Sequence, residues 1–219
     1  MLFRSEGVTG IGRSAFQGCT ALERVTIPGS VTDIGYQAFA DCKSLTDVTI
    51  PDGVATLRRD AFMGCNSLKS ITIPGSVTTF ERGVFYHCTG LESVTILDGV
   101  TTIPLLAFSG CSSLKSVTIP GSAALIEEEA FKDCTSLTDV TIGEGVTGIG
   151  RSAFQGCTAL ERVTIPGSVT DIGYQAFADC GSLTDVYYGG SAAQWEQISI
   201  DNSYNENDPL LNTAIRYNS

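Results

Sequence analysis

Residues 7–42 read GVTGIGRSAFQGCTALERVTIPGSVTDIGYQAFADC, and the same letters return at residues 145–180. The two copies start 138 residues apart (145 − 7), which is six times 23. Self-similarity with a fixed period of roughly 20–50 residues is typical of a solenoid, in which coils stack along one axis. The cysteines follow the same 23-residue period: Cys19, Cys42, Cys65, Cys88, Cys111, Cys134, Cys157 and Cys180.

Composition excludes two classes of partner. The 219 residues carry a formal net charge of −11, with 13 Lys and Arg against 24 Asp and Glu. An acidic chain is repelled by nucleic-acid phosphates and by anionic membranes, so we expect no nucleic-acid partner. No apolar run approaches the roughly 20 residues of a membrane-spanning helix, so we expect no membrane insertion.

One repeat unit, residues 45–65, reads LTDVTIPDGVATLRRDAFMGC. The β-branched segment LTDVTI favours a short strand, and PDG ends it because proline cannot donate to a ladder. Val54 and Leu57 then re-enter the core as a second short extended piece. The closing letters AFMGC suit one face of a helical turn.

A single coil cannot be stable alone. Each coil buries about six large apolar side chains, at roughly 1.5–3 kcal/mol each. Ordering its backbone costs about 1–2 kcal/mol per residue, and summed over one coil this cost exceeds the gain from burial. Stability must therefore come from strand pairing and stacking between neighbouring coils.

The pattern L-x-x-V-x-I-P-x-x-V-x-x-I-x-x-x-A-F-x-x-C is nearly complete in Leu22–Cys42 and Leu160–Cys180. It resembles the leucine-rich repeats of the BspA-like bacterial surface proteins, across residues 7–188. The resemblance implies an α/β leucine-rich-repeat solenoid, a right-handed superhelix of seven to eight repeats. One parallel β-sheet is expected, with short extended and helical turns in each coil.

The same resemblance implies a function. It indicates a non-enzymatic module of a cell-surface or secreted protein, which adheres to host or neighbouring-cell proteins. The alternative is a structural spacer or stalk that presents another domain. No residues assemble a nucleophile, a base and oxyanion donors, so we expect neither an enzyme nor a cofactor.

The periodicity stops after Tyr188, and residues 189–219 are predicted to form a C-terminal cap. Ser191 is a candidate N-cap for a helix over residues 192–198, whose Trp195 and Ile198 would cover the last coil. A final strand or lid is predicted from Leu210, Leu211, Ile215 and Tyr217.

The N-terminal end shows no equivalent cap. Residues 1–6 are interpreted as a truncation point or an artificial remnant, without a signal peptide. Val8, Ile11 and Phe16 would then lie on a half-exposed coil. We expect either missing upstream repeats or self-association there.

The eight cysteines are predicted to form a ladder of buried free thiols that act as small hydrophobes. Equivalent positions on neighbouring coils lie about 4.8 Å apart with parallel Cα–Cβ vectors. A disulfide needs a Cβ–Cβ distance of about 3.5–4.5 Å and converging vectors. Disulfides between some neighbours and a zinc site remain as alternatives.

Oxygen-bearing side chains crowd one loop near the C-terminus. The loop lacks the glycine and the terminal glutamate of a calcium loop, so it is interpreted as a solvated turn rather than a metal site. Its residues are Asp201, Asn202, Asn205, Glu206, Asn207 and Asp208.

A protein-binding surface is predicted in the central coils. Leu97, Leu105 and Leu106 replace residues that are polar or turn-forming in most other coils, with Arg59 and Arg82 on one side and Glu128 on the other. Such an apolar patch flanked by opposite charges is typical of a protein contact. Tolerated drift on one exposed coil is the alternative.

The long duplication restricts where specificity can lie. Residues 7–48 and 145–186 differ only at Lys43, which is Gly181 in the second copy. A unique binding site cannot consist of duplicated surfaces alone. The distinctive sequence is therefore expected in residues 49–143 and in the cap.

Overall fold

The computed structural model describes residues 7–217, which form a stack of coils with short parallel strands. The prediction of a parallel leucine-rich-repeat solenoid is confirmed. The predicted break at residues 1–6 lies outside the described residues. The strands are β1 (Gly10–Ile11), β2 (Arg24–Thr26), β3 (Asp33–Ile34), β4 (Asp47–Thr49), β5 (Thr56–Leu57), β6 (Ser70–Ile73), β7 (Thr79–Phe80), β8 (Ser93–Ile96), β9 (Thr102–Ile103), β10 (Ser116–Ile119), β11 (Leu125–Ile126), β12 (Asp139–Ile142), β13 (Gly148–Ile149), β14 (Arg162–Ile165), β15 (Asp171–Ile172), β16 (Asp185–Tyr188), β17 (Ser199–Ile200) and β18 (Ile215–Tyr217).

The strands form two parallel ladders on two faces of the solenoid. The main ladder runs from β6 to β16 through the even-numbered strands and ends at β18, with β2–β4 as a separate pair. Up to β16, paired residues are 23 positions apart, as in Val117 with Val140 and Ile119 with Ile142, so equivalent side chains stack on each other. The short extended pieces pair as well, from β1 to β7 and from β9 to β17, which adds a second ladder to the predicted sheet.

One apolar core runs the length of the described stack. Along the main strands, side chains alternate between exposed and buried, as in Ser70–Ile73. The phenylalanine column from Phe16 to Phe177 forms a continuous stack, with neighbouring ring centroids 5.1–5.4 Å apart. The coil spacing of the ladders thus sets an aromatic spacing within the range that favours stacked rings.

The segment that closes each coil differs from the predicted helical turn. Its N–H groups donate alternately to carbonyls of the same coil and of the next coil, as the first described coil shows. The N–H of Ala15 bonds back to the Gly12 carbonyl (3.3 Å), whereas the N–H of Phe16 bonds to the Ala38 carbonyl of the next coil (2.7 Å). A helix would keep all these bonds within the coil, so the alternation joins the coils at the cost of helicity.

Left-handed backbone makes this alternation possible. Two positions per coil have φ between +51° and +74°, four residues apart, and each recurs every 23 residues. The first column is Ser14, Gln37, Asp60, Gly83, Leu106, Glu129, Ser152 and Gln175. The second is Gly18, Asp41, Gly64, His87, Gly110, Asp133, Gly156 and Asp179.

The C-terminal segment adds one strand to each ladder. β17 pairs with β15, and β18 pairs with β16. The predicted final strand forms from Ile215 and Tyr217, whereas Leu210 and Leu211 lie in a short helix before it. Ser191 is the N-cap of a helix, as predicted, but that helix, α1, covers only Ala192–Trp195. The Trp195 ring packs edge-on against Tyr188, with centroids 5.1 Å apart. A 3₁₀ turn (Ser203–Asn205) and helix α2 (Asp208–Leu211) follow.

Asn207 corrects the interpretation of the polar loop as a solvated turn. Its side chain is fully buried. Its Oδ1 accepts the Phe177 N–H (2.9 Å), and its Nδ2 donates to the carbonyls of Gly173 (3.0 Å) and Asp201 (2.7 Å). In earlier coils the equivalent N–H donates to a backbone carbonyl of the next coil, as Phe154 does to Ala176. At Phe177 the Asn207 side-chain oxygen takes the place of that carbonyl.

Candidate functional site

The structure brings four of the predicted site residues into one column. Arg59, Arg82, Leu105 and Glu128 occupy the same position in successive coils, and a backbone bond crosses each junction. The Asp60 N–H bonds to the Arg82 carbonyl (3.1 Å), and the Gly83 N–H bonds to the Leu105 carbonyl (2.9 Å). The Leu106 N–H bonds to the Glu128 carbonyl (3.2 Å). The column is therefore held rigidly by the coil-closing turns.

Leu97 lies apart from the other two leucines. Leu97 lies directly after β8 and before β9, whereas Leu105 and Leu106 lie after the end of β9. Leu97 is 42% exposed, while Leu105 and Leu106 are half-buried. The predicted apolar patch is thus divided between two corners of one coil.

The flanking charges differ in how they are engaged. The Glu128 carboxylate lies 3.7 Å from the Arg151 guanidinium, and Arg59 lies 3.2 Å from the Asp60 carboxylate. Within residues 7–217, the Arg82 side chain is exposed and forms no ion pair. An exposed ion pair such as Glu128–Arg151 contributes roughly 0–1 kcal/mol, so Glu128 and Arg82 can reorganise around a partner at low cost. Arg59 is more constrained, because its partner Asp60 is buried.

The second ladder is interrupted next to these residues, between β7 and β9. At each neighbouring junction, one backbone N–H donates to a carbonyl of the preceding coil. The Glu81 N–H donates to the Leu57 carbonyl (2.9 Å), and the Glu127 N–H donates to the Ile103 carbonyl (2.8 Å). The equivalent residue at the interrupted junction is Pro104. Proline has no N–H, so this bond cannot form.

Phe80 adds a steric reason for the interruption. It occupies an inward position that Leu57 and Ile103 fill in the adjacent coils. The larger ring packs edge-on against Phe85 and Phe108, with centroids 6.5 and 6.2 Å away, and stays half-buried.

The interruption leaves a groove of about 260 Å³ on the second-ladder face. The Glu127 carboxylate is part of its wall and also accepts the Leu105 N–H (2.9 Å). The "interrupted-ladder groove" is lined by Val77, Thr78, Thr79, Phe80, Thr101, Thr102 and Glu127.

Sequence reasoning missed the groove and one exposed leucine beside it. Leu125 is 40% exposed and pairs with Thr102 at the edge of the groove. Both signals were present in the repeat: an aromatic residue in an aliphatic column, and proline at a position whose N–H crosses between coils. Their meaning depends on the backbone hydrogen bonds that join neighbouring coils in the second ladder, which the sequence does not show.

The structure buries seven of the eight cysteines as free thiols. Each buried Sγ donates to a phenylalanine carbonyl one coil earlier, at 3.0–3.3 Å. Cys19 is a correction to the predicted burial: it is exposed, and within residues 7–217 it lies in the first coil, with no preceding coil of that range to pack on it. The redox state of the ladder stays a prediction.

Burial also changes the chemistry of these thiols. It raises the pKa of Cys42 to about 11, and that of Cys88 and Cys180 to about 12. The thiolate is the nucleophile and the metal ligand, so these groups are poorly reactive at neutral pH. No group of three His, Cys, Asp or Glu side chains within residues 7–217 is placed to hold a metal ion. Over the same residues, no helix is long and apolar enough to span a membrane.

Comparison with known proteins places this geometry among bacterial repeat proteins. A model of the BspA type leucine rich repeat region matches six copies, over residues 3–112 and 82–207. A leucine-rich repeat protein from Eubacterium ventriosum is 34% identical, with a TM-score of 0.71 over 74% of this chain and 44% of its own. Comparison with curated proteins gives no match.

Two further solved structures are similar. A leucine-rich repeat protein from Bacteroides ovatus is 32% identical over 83% of this chain and 59% of its own, with a TM-score of 0.54. A leucine rich cell surface protein from Faecalibacterium prausnitzii is 32% identical over 89% of this chain and 55% of its own, with a TM-score of 0.53. The chain therefore spans 44% to 59% of the length of these three proteins.

Proposed function

Because this chain belongs to the BspA-type leucine-rich repeat family, we propose that it is a non-enzymatic protein-binding module of a bacterial cell-surface or secreted protein. Its specific role is adhesion to host, matrix or neighbouring-cell proteins. Support for the location comes from the similar Faecalibacterium protein, which is a cell surface protein.

The carrying observation is where apolar side chains reach the surface. In residues 7–188, the exposed large hydrophobic side chains are Leu97 and Leu125, and both lie in the central coils. The column containing Arg82, Leu105 and Glu128 is on the same coils. Apolar anchors within a polar and charged rim are the usual composition of a binding hot spot.

A binding screen against immobilised extracellular-matrix proteins tests this proposal. We expect one of them to bind, and the triple variant L97S/L105S/L106S to weaken that binding at least about tenfold. L211S is the matched control, because Leu211 is exposed to a similar degree (38%) but lies in the cap. Unchanged affinity in the triple variant would sink the assignment of this surface.

A structural spacer is the second candidate function. The near-identity of residues 7–48 and 145–186 favours it, because a spacer needs length and regularity rather than a unique surface. The full-length protein separates the two functions. A spacer joins an unrelated binding domain, and exchange for another array of equal length leaves adhesion unchanged.

Self-association through the first coil is part of the same proposal. Val8, Ile11 and Pro28 line an apolar pocket of about 190 Å³ at that end of the described stack. A second copy would bury this surface. A strictly monomeric mass by light scattering across the concentration range would contradict self-association.

A further inference from the structure

We propose that the interrupted-ladder groove binds an extended peptide segment of a partner protein by strand addition. The inference rests on the proposed protein-binding function and deepens it, because it names peptide backbone as the feature recognised. It also adds a recognition element on the second-ladder face, beside the column of Arg59, Arg82, Leu105 and Glu128.

Unpaired backbone groups carry the proposal. At the adjacent junctions, the Thr78 N–H bonds to the Ala55 carbonyl (3.0 Å) and the Ala124 N–H bonds to the Thr101 carbonyl (2.9 Å). At the groove, the Thr101 N–H and the carbonyls of Thr78 and Phe80 have no partner within residues 7–217. Backbone groups left open in this way are a template for another strand.

The spacing of these groups selects an extended backbone. Thr78 and Phe80 are two residues apart, so their carbonyls match alternate N–H groups of a peptide strand. In such strand addition, main-chain hydrogen bonds supply the affinity. The groove is also smaller than the roughly 300–1,000 Å³ of most small-molecule sites.

Charge selects the kind of peptide. The half-buried Glu127 carboxylate is part of the groove wall, and the whole chain is acidic. A lysine or arginine on the incoming peptide can pair with it, whereas a phosphate group is repelled. We therefore infer a basic segment as the occupant.

The groove is preorganised, because the two coils remain joined on both sides of it. On the turn side, the Phe85 N–H bonds to the Ala107 carbonyl (2.9 Å). On the main-ladder side, β8 pairs with β6 and with β10. The β7 carbonyls are therefore held in place, and a peptide that pairs with this one strand edge pays little ordering cost.

Hydrogen exchange on the free chain tests the open ladder. We expect the Thr101 amide to exchange at least about tenfold faster than those of Thr78 and Ala124, which are hydrogen-bonded across their junctions. Equal protection of all three amides would show that the ladder closes in solution and would overturn the proposal.

The double variant F80L/P104G tests binding directly. Leucine is the residue of the preceding coil at this position, and glycine at 104, as at Gly150, restores the N–H that bonds across the junction (2.7 Å for Gly150). The variant is expected to close the ladder and to remain folded. I126L, in the same inward column outside the groove, is the matched control.

The probe is a phage-displayed library of random linear peptides selected on the wild-type chain. Selected peptides are expected to be rich in Lys and Arg and to bind the wild type and I126L at least about tenfold more tightly than F80L/P104G. N-methylation of their central amides should reduce binding similarly. Peptides that bind F80L/P104G as tightly as the wild type, or no enrichment at all, would overturn the proposal.

The outcomes separate the groove from the wider function. A matrix protein that binds wild type and F80L/P104G equally would overturn the groove and leave the protein-binding function in place. A peptide that discriminates between the two chains, without any matrix protein bound, would support the groove and contradict the adhesive role.

Discussion

At the scale of single residues, Leu106 is the most unusual side chain of the central coils. Its φ is +58°, in a column whose other members are glycine or polar residues. An L-residue pays roughly 1–2 kcal/mol to adopt this left-handed backbone, and a bulky one lacks the local hydrogen bonds that help Asp or Asn. This strain is consistent with the binding role that we propose for Leu106.

Replacing Leu106 by glycine should therefore lower the free energy of unfolding by about 1 kcal/mol less than the same change at Leu105, because glycine adopts the left-handed backbone of residue 106 without strain. Urea denaturation measures the change. L105G is the control, since Leu105 is also half-buried but has no positive φ, and it should lower stability by about 1–2 kcal/mol. Equal destabilisation of both variants would show that Leu106 is held by packing alone.

At the scale of elements, the end of the solenoid depends on side-chain chemistry. The cap supplies strands β17 and β18 to the two ladders, but it supplies no coil-closing turn to meet the last one. The Asn207 amide fills that position with one acceptor and two donor contacts. An amide suits this role because it carries both kinds of group, as a peptide unit does.

Substituting Asn207 by alanine leaves the buried Phe177 N–H and the Asp201 carbonyl without their partners, whereas the Gly173 carbonyl keeps the Ala176 N–H (3.2 Å). Each unsatisfied group costs about 1–3 kcal/mol, so we expect N207A to lose about 2–4 kcal/mol. Thermal unfolding followed by circular dichroism measures the loss. N212A, at an exposed asparagine of the same segment, should change stability by less than about 0.5 kcal/mol. A similar effect of both variants would contradict the capping role.

At the scale of the whole molecule, the thiol ladder couples stability to pH. An unfolded cysteine loses its proton near its ordinary pKa of 9.0, whereas the folded Cys42 and Cys88 keep theirs to about 11 and about 12. Above pH 9.0 the unfolded state therefore binds fewer protons than the folded state. Stability contributed by the thiols is full below pH 9.0 and is lost as pH rises toward 11–12, by about 1.4 kcal/mol per pH unit and thiol.

Chemical denaturation at a series of alkaline pH values measures this dependence. The variant C111A/C134A removes two buried thiols and should lose stability less steeply above pH 9.0 than the parent chain. Tyrosine and lysine residues titrate in the same pH range but are the same in both chains, so the difference between the two slopes reports on the cysteines alone. Identical slopes would indicate that the ladder is not made of protonated free thiols.

Much of this architecture could be predicted because, in a repeat, the residue spacing within one coil also determines which side chains stack between coils. The strand pattern around Val48, the phenylalanine column and the N-cap at Ser191 all follow from residue spacing. Where equivalent residues stack, a single coil specifies its neighbours. The predictions differed from the structure where backbone bonds cross between coils, as in the closing turns and at Asn207.

By itself, the sequence determined the solenoid, its 23-residue register and the chemical identity of its buried columns, because these depend on periodic burial. Only the tertiary structure decided which backbone groups meet. It divided Leu97 from Leu105, buried Asn207 and opened the second ladder at Pro104. Hydrogen bonds between coils join residues 23 apart through space, so a missing donor reveals its consequence only when the opposing carbonyl is known.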